Sequence, residues 1–218
     1  MEFVQTNYRQ RSIIQKITIT SMMLTFVLMF HGLDQFVKLP FGFLTINFSL
    51  IFILPIFYFS GPWFGLLSFI IRMIFGMSLG LFSLVAIMSQ VIILFFELIA
   101  VVFMYVYSYA LKKYHHHNYK IIGIFSLTII STTVIASLLN ACIFFPLFIS
   151  ALTEFSFPPS ISEAIMRYGQ YRLVFFNIPN YWIGVTITYM VGNIIKFSLI
   201  FFLYFPLSKI FRYYKIQS

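Results

Sequence analysis

The feature that most constrains this chain is a series of apolar stretches, several of them longer than a bilayer-crossing helix requires. Leu81 to Leu111 contains one charged side chain, Glu97, and Ile121 to Leu152 contains none. A helix crosses the hydrocarbon core with about 20 apolar residues, whereas a membrane β-strand is shorter and alternates between lipid-facing and lumen-facing side chains. These stretches do not alternate, so the expected fold is helical. With 61% hydrophobic and 9% charged residues, the chain also lacks the polar surface that a water-soluble domain needs on its outside.

Reading along the chain gives an all-α integral membrane protein, a single domain over 1–218 built as a bundle of six transmembrane helices. The expected spans are about 17–32, 43–59, 63–78, 81–111, 121–152 and 181–208. The first follows Arg9, Arg11 and Lys16 and is read as a retained helix, because no small-residue cleavage site follows it. Ser60-Gly61-Pro62 breaks the second span from the third and predicts a tight helical hairpin. Pro146 falls near the far end of the fifth span. Residues 153–180 carry Pro158, Pro159 and Pro179 and are expected as an ordered external loop or cap.

The formal net charge of +9 would point to nucleic acid in a soluble protein, but here it reports orientation and no nucleic-acid partner is expected. Arg9, Arg11, Lys16, Lys112, Lys113, Lys120, Lys209, Arg212 and Lys215 fall on the side of the termini, and only Lys38, Arg167 and Arg172 fall opposite. By the positive-inside rule both termini of this multi-pass protein are expected to be cytoplasmic.

Several chemistries have no motif in this sequence. There is no G-x-x-x-x-G-K-[ST] phosphate loop, no G-x-S-x-G elbow and no H-E-x-x-H pair, and only five acidic residues are available for acid or base work. The expectation is therefore a protein that is not an enzyme and that carries no cofactor and no metal. Cys142 is the only cysteine, so no internal disulfide can form. His115, His116 and His117 lie in a basic loop without a carboxylate or thiol nearby and read as a solvated segment. His31 and Asp34, at the outer end of the first span, fit an interfacial role and ligand contact equally.

Charged groups near the bilayer centre cost about 2.5–3.5 kcal/mol each on insertion scales, so those that persist face a cavity or a partner. Arg72, Glu97 and Lys196 are the three. Counting the helical rise places Glu97 nearer the cytoplasm than the other two, where it either pairs with a cation or meets another subunit. Tyr189, Asn193 and Lys196 recur at i, i+4 and i+7 on the last span and form one polar stripe. That stripe offers a ring, an amide and an ammonium to a flat heterocycle with polar edges, or else forms an interhelical hydrogen-bond seam. Gln90 and Asn140 are candidates to complete the same cavity. Ser21 and Thr25, four residues apart on the first span, form a strip where a partner helix could dock, and packing inside the bundle explains them equally well.

Taken together, several segments resemble the substrate-binding S component of an energy-coupling factor (ECF) vitamin transporter. They are Leu39-Pro40-Phe41-Gly42-Phe43-Leu44-Thr45-Ile46-Asn47-Phe48-Ser49, then Gly61-Pro62-Trp63-Phe64-Gly65, then Arg72, and finally Asn193-Ile194-Ile195-Lys196. The riboflavin-specific branch has a Y-L-T-[LI]-D-F-S stretch, G-P-x-x-G, a basic residue deeper in the third helix and N-x-x-K in this order. Here Asn47 stands in place of its usual Asp, Arg72 in place of its usual Lys, and Ser21 and Thr25 in place of alanines. The resemblance implies a multi-pass protein of a bacterial cytoplasmic membrane that binds a vitamin at its outer face, with Phe43, Leu44, Thr45, Asn47, Arg72, Asn193 and Lys196 on the matching segments; Gln90, Asn140 and Tyr189 join them as candidates from the polar pattern. Riboflavin is favoured, with folate, thiamin and pantothenate as alternatives. It further implies docking through Ser21 and Thr25 to a transmembrane T subunit, itself joined to two cytoplasmic ATPase subunits. Outside this family, the open alternatives are a self-sufficient secondary carrier and a membrane-embedded enzyme.

Overall fold

The computed structural model of the chain describes residues 12–34, 47–113 and 117–216. Among these residues it is all-helical, in the order α1 (Ile13–Asp34), α2 (Leu50–Phe59), α3 (Pro62–Leu79), α4 (Leu84–Ala110), α5 (His117–Leu139), a π turn (Asn140–Phe144), α6 (Phe145–Leu152), α7 (Ile161–Tyr171) and α8 (Tyr181–Ile216). The π turn joins α5 and α6 into one rod. Five segments are long and apolar enough to cross a membrane: α1, α3, α4, the α5–α6 rod from Tyr119 to Leu152, and α8 from Tyr181 to Pro206. This architecture is that of an all-α, multi-pass membrane protein.

The expected second span differs. Over the described residues it is a ten-residue helix, about 15 Å long at the standard rise, and too short to cross the hydrocarbon core unaided. Its start is fixed from outside. The Ser49 side chain makes no cap, and instead the Asp34 carboxylate, at the end of α1, accepts from the N–H groups of Phe48 (3.0 Å) and Ser49 (3.4 Å). At the other end the Ser60 hydroxyl donates to the Lys16 carbonyl at 3.2 Å, near the start of α1. The two helices are therefore antiparallel, and α2 lies inside the bundle with every residue buried except Phe52. A helix that is apolar all round belongs in an interior, and α2 supplies much of the core shared with Val27, Phe69, Ala100, Phe197 and Ile200.

Small residues let the hairpin close. Gly61 stands at φ 102° between α2 and α3, a conformation that side chains rarely tolerate. A Cβ placed on Gly65 would strike the Phe57 ring. In contrast to α2, α1 is mostly unburied, with Ile13, Ile14, Ile17, Met22, Phe26, Met29 and Leu33 on its outside.

The segment expected as a loop contains α7, begun by a Ser160 hydroxyl that accepts from the Glu163 N–H at 3.3 Å. Ser-x-x-Glu is a capping-box spacing and was readable in the sequence. The Arg167 guanidinium pairs with Glu163 at 3.3 Å. Tyr168 turns inward to Phe175 and Tyr181, and its hydroxyl donates to the Ile178 carbonyl at 2.9 Å. Burial pushes that hydroxyl above the ordinary tyrosine pKa, so it stays a donor.

Candidate functional site

Arg72, Glu97 and Lys196, read singly from the sequence, meet in one buried cluster. Glu97 is at its centre with 0% exposure. One carboxylate oxygen lies 2.5 Å from Arg72 Nη2. The other accepts from Asn47 Nδ2 at 2.8 Å and lies 3.7 Å from Lys196 Nζ. Arg72 is also fully buried, its Nη1 donating to Ser49 Oγ at 3.2 Å while its guanidinium stands 5.2 Å from the centre of the Phe69 ring. Of the two sequence readings of Glu97, pairing within the chain is the one observed. At the standard rise Arg72 stands about 15 Å from the Pro62 end of α3 and Glu97 about 20 Å from the Ala110 end of α4, so the two are not as separated in depth as the sequence count made them, and two long side chains span the remainder.

The cluster extends toward the end of α1. Asp34 and His31 are both buried, with His31 Nδ1 4.0 Å from Asp34 Oδ2. Gln90 of α4 and His31 come so close to α3 that a Cβ on Gly76 would lie 2.5 Å from each. Gln90 therefore packs on the α1–α3 side and does not line the cavity described next.

That cavity lies between α4, the α5–α6 rod and α8. It measures about 90 Å³ and is lined by Ser89, Ile92, Ile93, Phe96, Asn140, Phe144, Phe148, Tyr189, Asn193 and Lys196. Four of the sequence candidates thus share one wall-to-wall space: Asn140 on the rod faces the Tyr189, Asn193 and Lys196 stripe on α8. Arg72 and Asn47 stand behind Lys196, connected to it through Glu97. Phe43, Leu44 and Thr45 lie outside the described residues, as do His115 and His116. The aromatic lining, Phe96, Phe144 and Phe148, escaped the sequence reading because phenylalanine is spread throughout this chain and only a fold can select three of 30.

The chemistry of the cavity is donor-rich. Asn193 is 4% exposed, and its Nδ2 has no hydrogen-bond acceptor among the described residues. A buried donor left unsatisfied costs about 1–3 kcal/mol, which a ligand bearing a carbonyl or ring nitrogen would relieve. Lys196, which also lines this space, carries an ammonium with three donors whose distance to Glu97 is a long 3.7 Å. Phenyl rings around these groups offer flat apolar contact. At about 90 Å³ the space is smaller than the ~300 Å³ at the lower end of drug-sized ligand sites, so a bicyclic or tricyclic ligand requires the wall to widen. Among the described residues no group of three or more His, Cys, Asp or Glu side chains is placed to hold a metal.

Fold and site together define a helical membrane protein with a buried ion cluster beside a donor-lined, aromatic cavity. No family model matches the chain, and no match to it was found among curated proteins or solved structures.

Proposed function

We propose that this chain is the substrate-binding S component of an ECF-type vitamin importer, taking riboflavin or a similar flat vitamin. It would have six spans and cytoplasmic termini in a bacterial cell membrane, and would bind without catalysing a reaction. The observation that carries this reading is the convergence of Asn140, Tyr189, Asn193 and Lys196 on one aromatic-lined cavity, where Asn193 Nδ2 has no acceptor among the described residues. Helical spacing marks Tyr189, Asn193 and Lys196 as one stripe, and the N-x-x-K likeness covers Asn193 and Lys196 of it. Purification in detergent followed by an absorption spectrum tests it: a copurifying flavin absorbs in the visible, and a colourless preparation that also fails to take up added riboflavin refutes the riboflavin assignment.

Energy would come from partners, a transmembrane T subunit and two ATPase subunits. Support for a partner helix comes from α1, where Ser21 and Thr25 are both exposed and the Thr25 hydroxyl is folded back onto the Ser21 carbonyl at 3.0 Å. Small residues on an unburied face permit close backbone approach in lipid. Ser21→Trp is expected to abolish copurification with the T subunit while riboflavin affinity stays within about twofold, roughly 0.4 kcal/mol. Loss of affinity with assembly intact would assign the strip to the bundle instead.

One observation favours a second reading, a self-sufficient carrier: Asp34, Glu97 and His31 are buried together beside two cations, and such groups recur in proton and ion pathways. Uptake into liposomes separates the two. Accumulation against a gradient by the purified chain, without ATPase subunits, would replace the binding-subunit reading with the carrier.

A further inference from the structure

We propose that Tyr181 is a positioning residue, locking the π turn of the α5–α6 rod and thereby setting one wall of the cavity. The turn covers Asn140–Phe144, and the Phe145 N–H reaches back five residues to the Asn140 carbonyl. One residue further along, the same pattern would need an N–H at position 146 for the Ala141 carbonyl. Position 146 is proline and has none. Ala141 is 0% exposed, so its carbonyl cannot turn to water and requires a donor from elsewhere. The Tyr181 hydroxyl, at the first residue of α8, donates to it at 2.5 Å. Tyr181 is itself held between the Phe145 ring at 6.0 Å and the Tyr168 ring at 5.5 Å, so α7 and the start of α8 brace the contact.

The π turn matters to the cavity because it changes register. Asn140, Phe144 and Phe148 all line the cavity. In an uninterrupted α-helix, at about 100° per residue, Phe148 would stand roughly 80° around the axis from Asn140. A π turn absorbs one extra residue, which reduces the offset to roughly 20° and returns both side chains to one stripe. Pro146 removes a donor, the inserted residue aligns the wall, and Tyr181 satisfies the carbonyl left over.

The test uses the full-length chain in detergent and needs no vitamin, so its failure is distinct from failure of the proposed function. Tyr181→Phe keeps the ring and deletes the donor. On the parent background it should lower the thermal midpoint by about 2–10 °C. A nitroxide at Phe148→Cys, with Cys142→Ser making it the sole thiol, should become more accessible to oxygen dissolved in the detergent micelle as the wall rotates. On a Pro146→Ala background, where position 146 can donate to the Ala141 carbonyl, Tyr181→Phe should shift the midpoint by less than about 1 °C. A Tyr181→Phe protein that folds only together with Pro146→Ala counts as the same result in stronger form. Equal midpoint losses on the two backgrounds, or a label at position 148 indifferent to the hydroxyl, would overturn the proposal.

Discussion

Glu97→Gln is expected to be the most damaging single substitution in the bundle, costing about 3–5 kcal/mol of stability. Glutamine preserves the shape and the hydrogen bond from Asn47 but removes the one carboxylate among the described residues within ion-pair distance of Arg72, whose guanidinium is fully buried. The loss arises mainly from the charge left behind. In a chain of this size it corresponds to a fall in thermal midpoint of roughly 6–20 °C. Combining Glu97→Gln with Arg72→Met should recover much of it, because an apolar replacement of the whole pair is close to neutral in buried settings. A loss below about 1 kcal/mol for Glu97→Gln would mean that the pair is solvated or already protonated, and that the cluster does not hold α3 to α4.

Lys196→Met is expected to act on binding rather than on folding. Glu97 keeps Arg72 and Asn47 as partners when Lys196 is removed, and the ammonium is the most distant of the three at 3.7 Å. Methionine retains the apolar stem while removing a charge that is expensive within the bilayer. A hydrogen bond to a charged group contributes about 1.5–3 kcal/mol, so riboflavin affinity measured by calorimetry should fall about ten- to a hundredfold while the midpoint changes little. Unchanged affinity would leave Lys196 as a structural partner of Glu97 alone.

How much of this was legible in the sequence depends on the kind of signal. Long apolar stretches showed α1, α3, α4, the α5–α6 rod and α8, since hydropathy and length alone decide whether a helix can span. The stripe of Tyr189, Asn193 and Lys196 was legible because one helix carries all three, and its spacing survives in any α-helix. Contacts between helices were not. Gln90 looked like a cavity residue, yet the missing side chain of Gly76 lets it approach α3 and His31 instead. The meeting of Glu97 with Arg72 and Lys196 was not legible because rise along one helix axis says nothing of side-chain reach between helices. The start of α2 at Leu50 was not legible either, because it is set by Asp34, remote in sequence. The π turn left only Pro146 as a trace, and its stabilising hydroxyl comes from Tyr181, 40 residues away.

Titrating riboflavin into the purified, detergent-solubilised chain and following quenching of its fluorescence tests the central claim most directly. The account predicts saturation at one riboflavin per chain, with affinity weakened by Lys196→Met and unaffected by Ser21→Trp. Absence of saturable quenching by riboflavin, in a preparation whose helical content and thermal transition are intact, would contradict it.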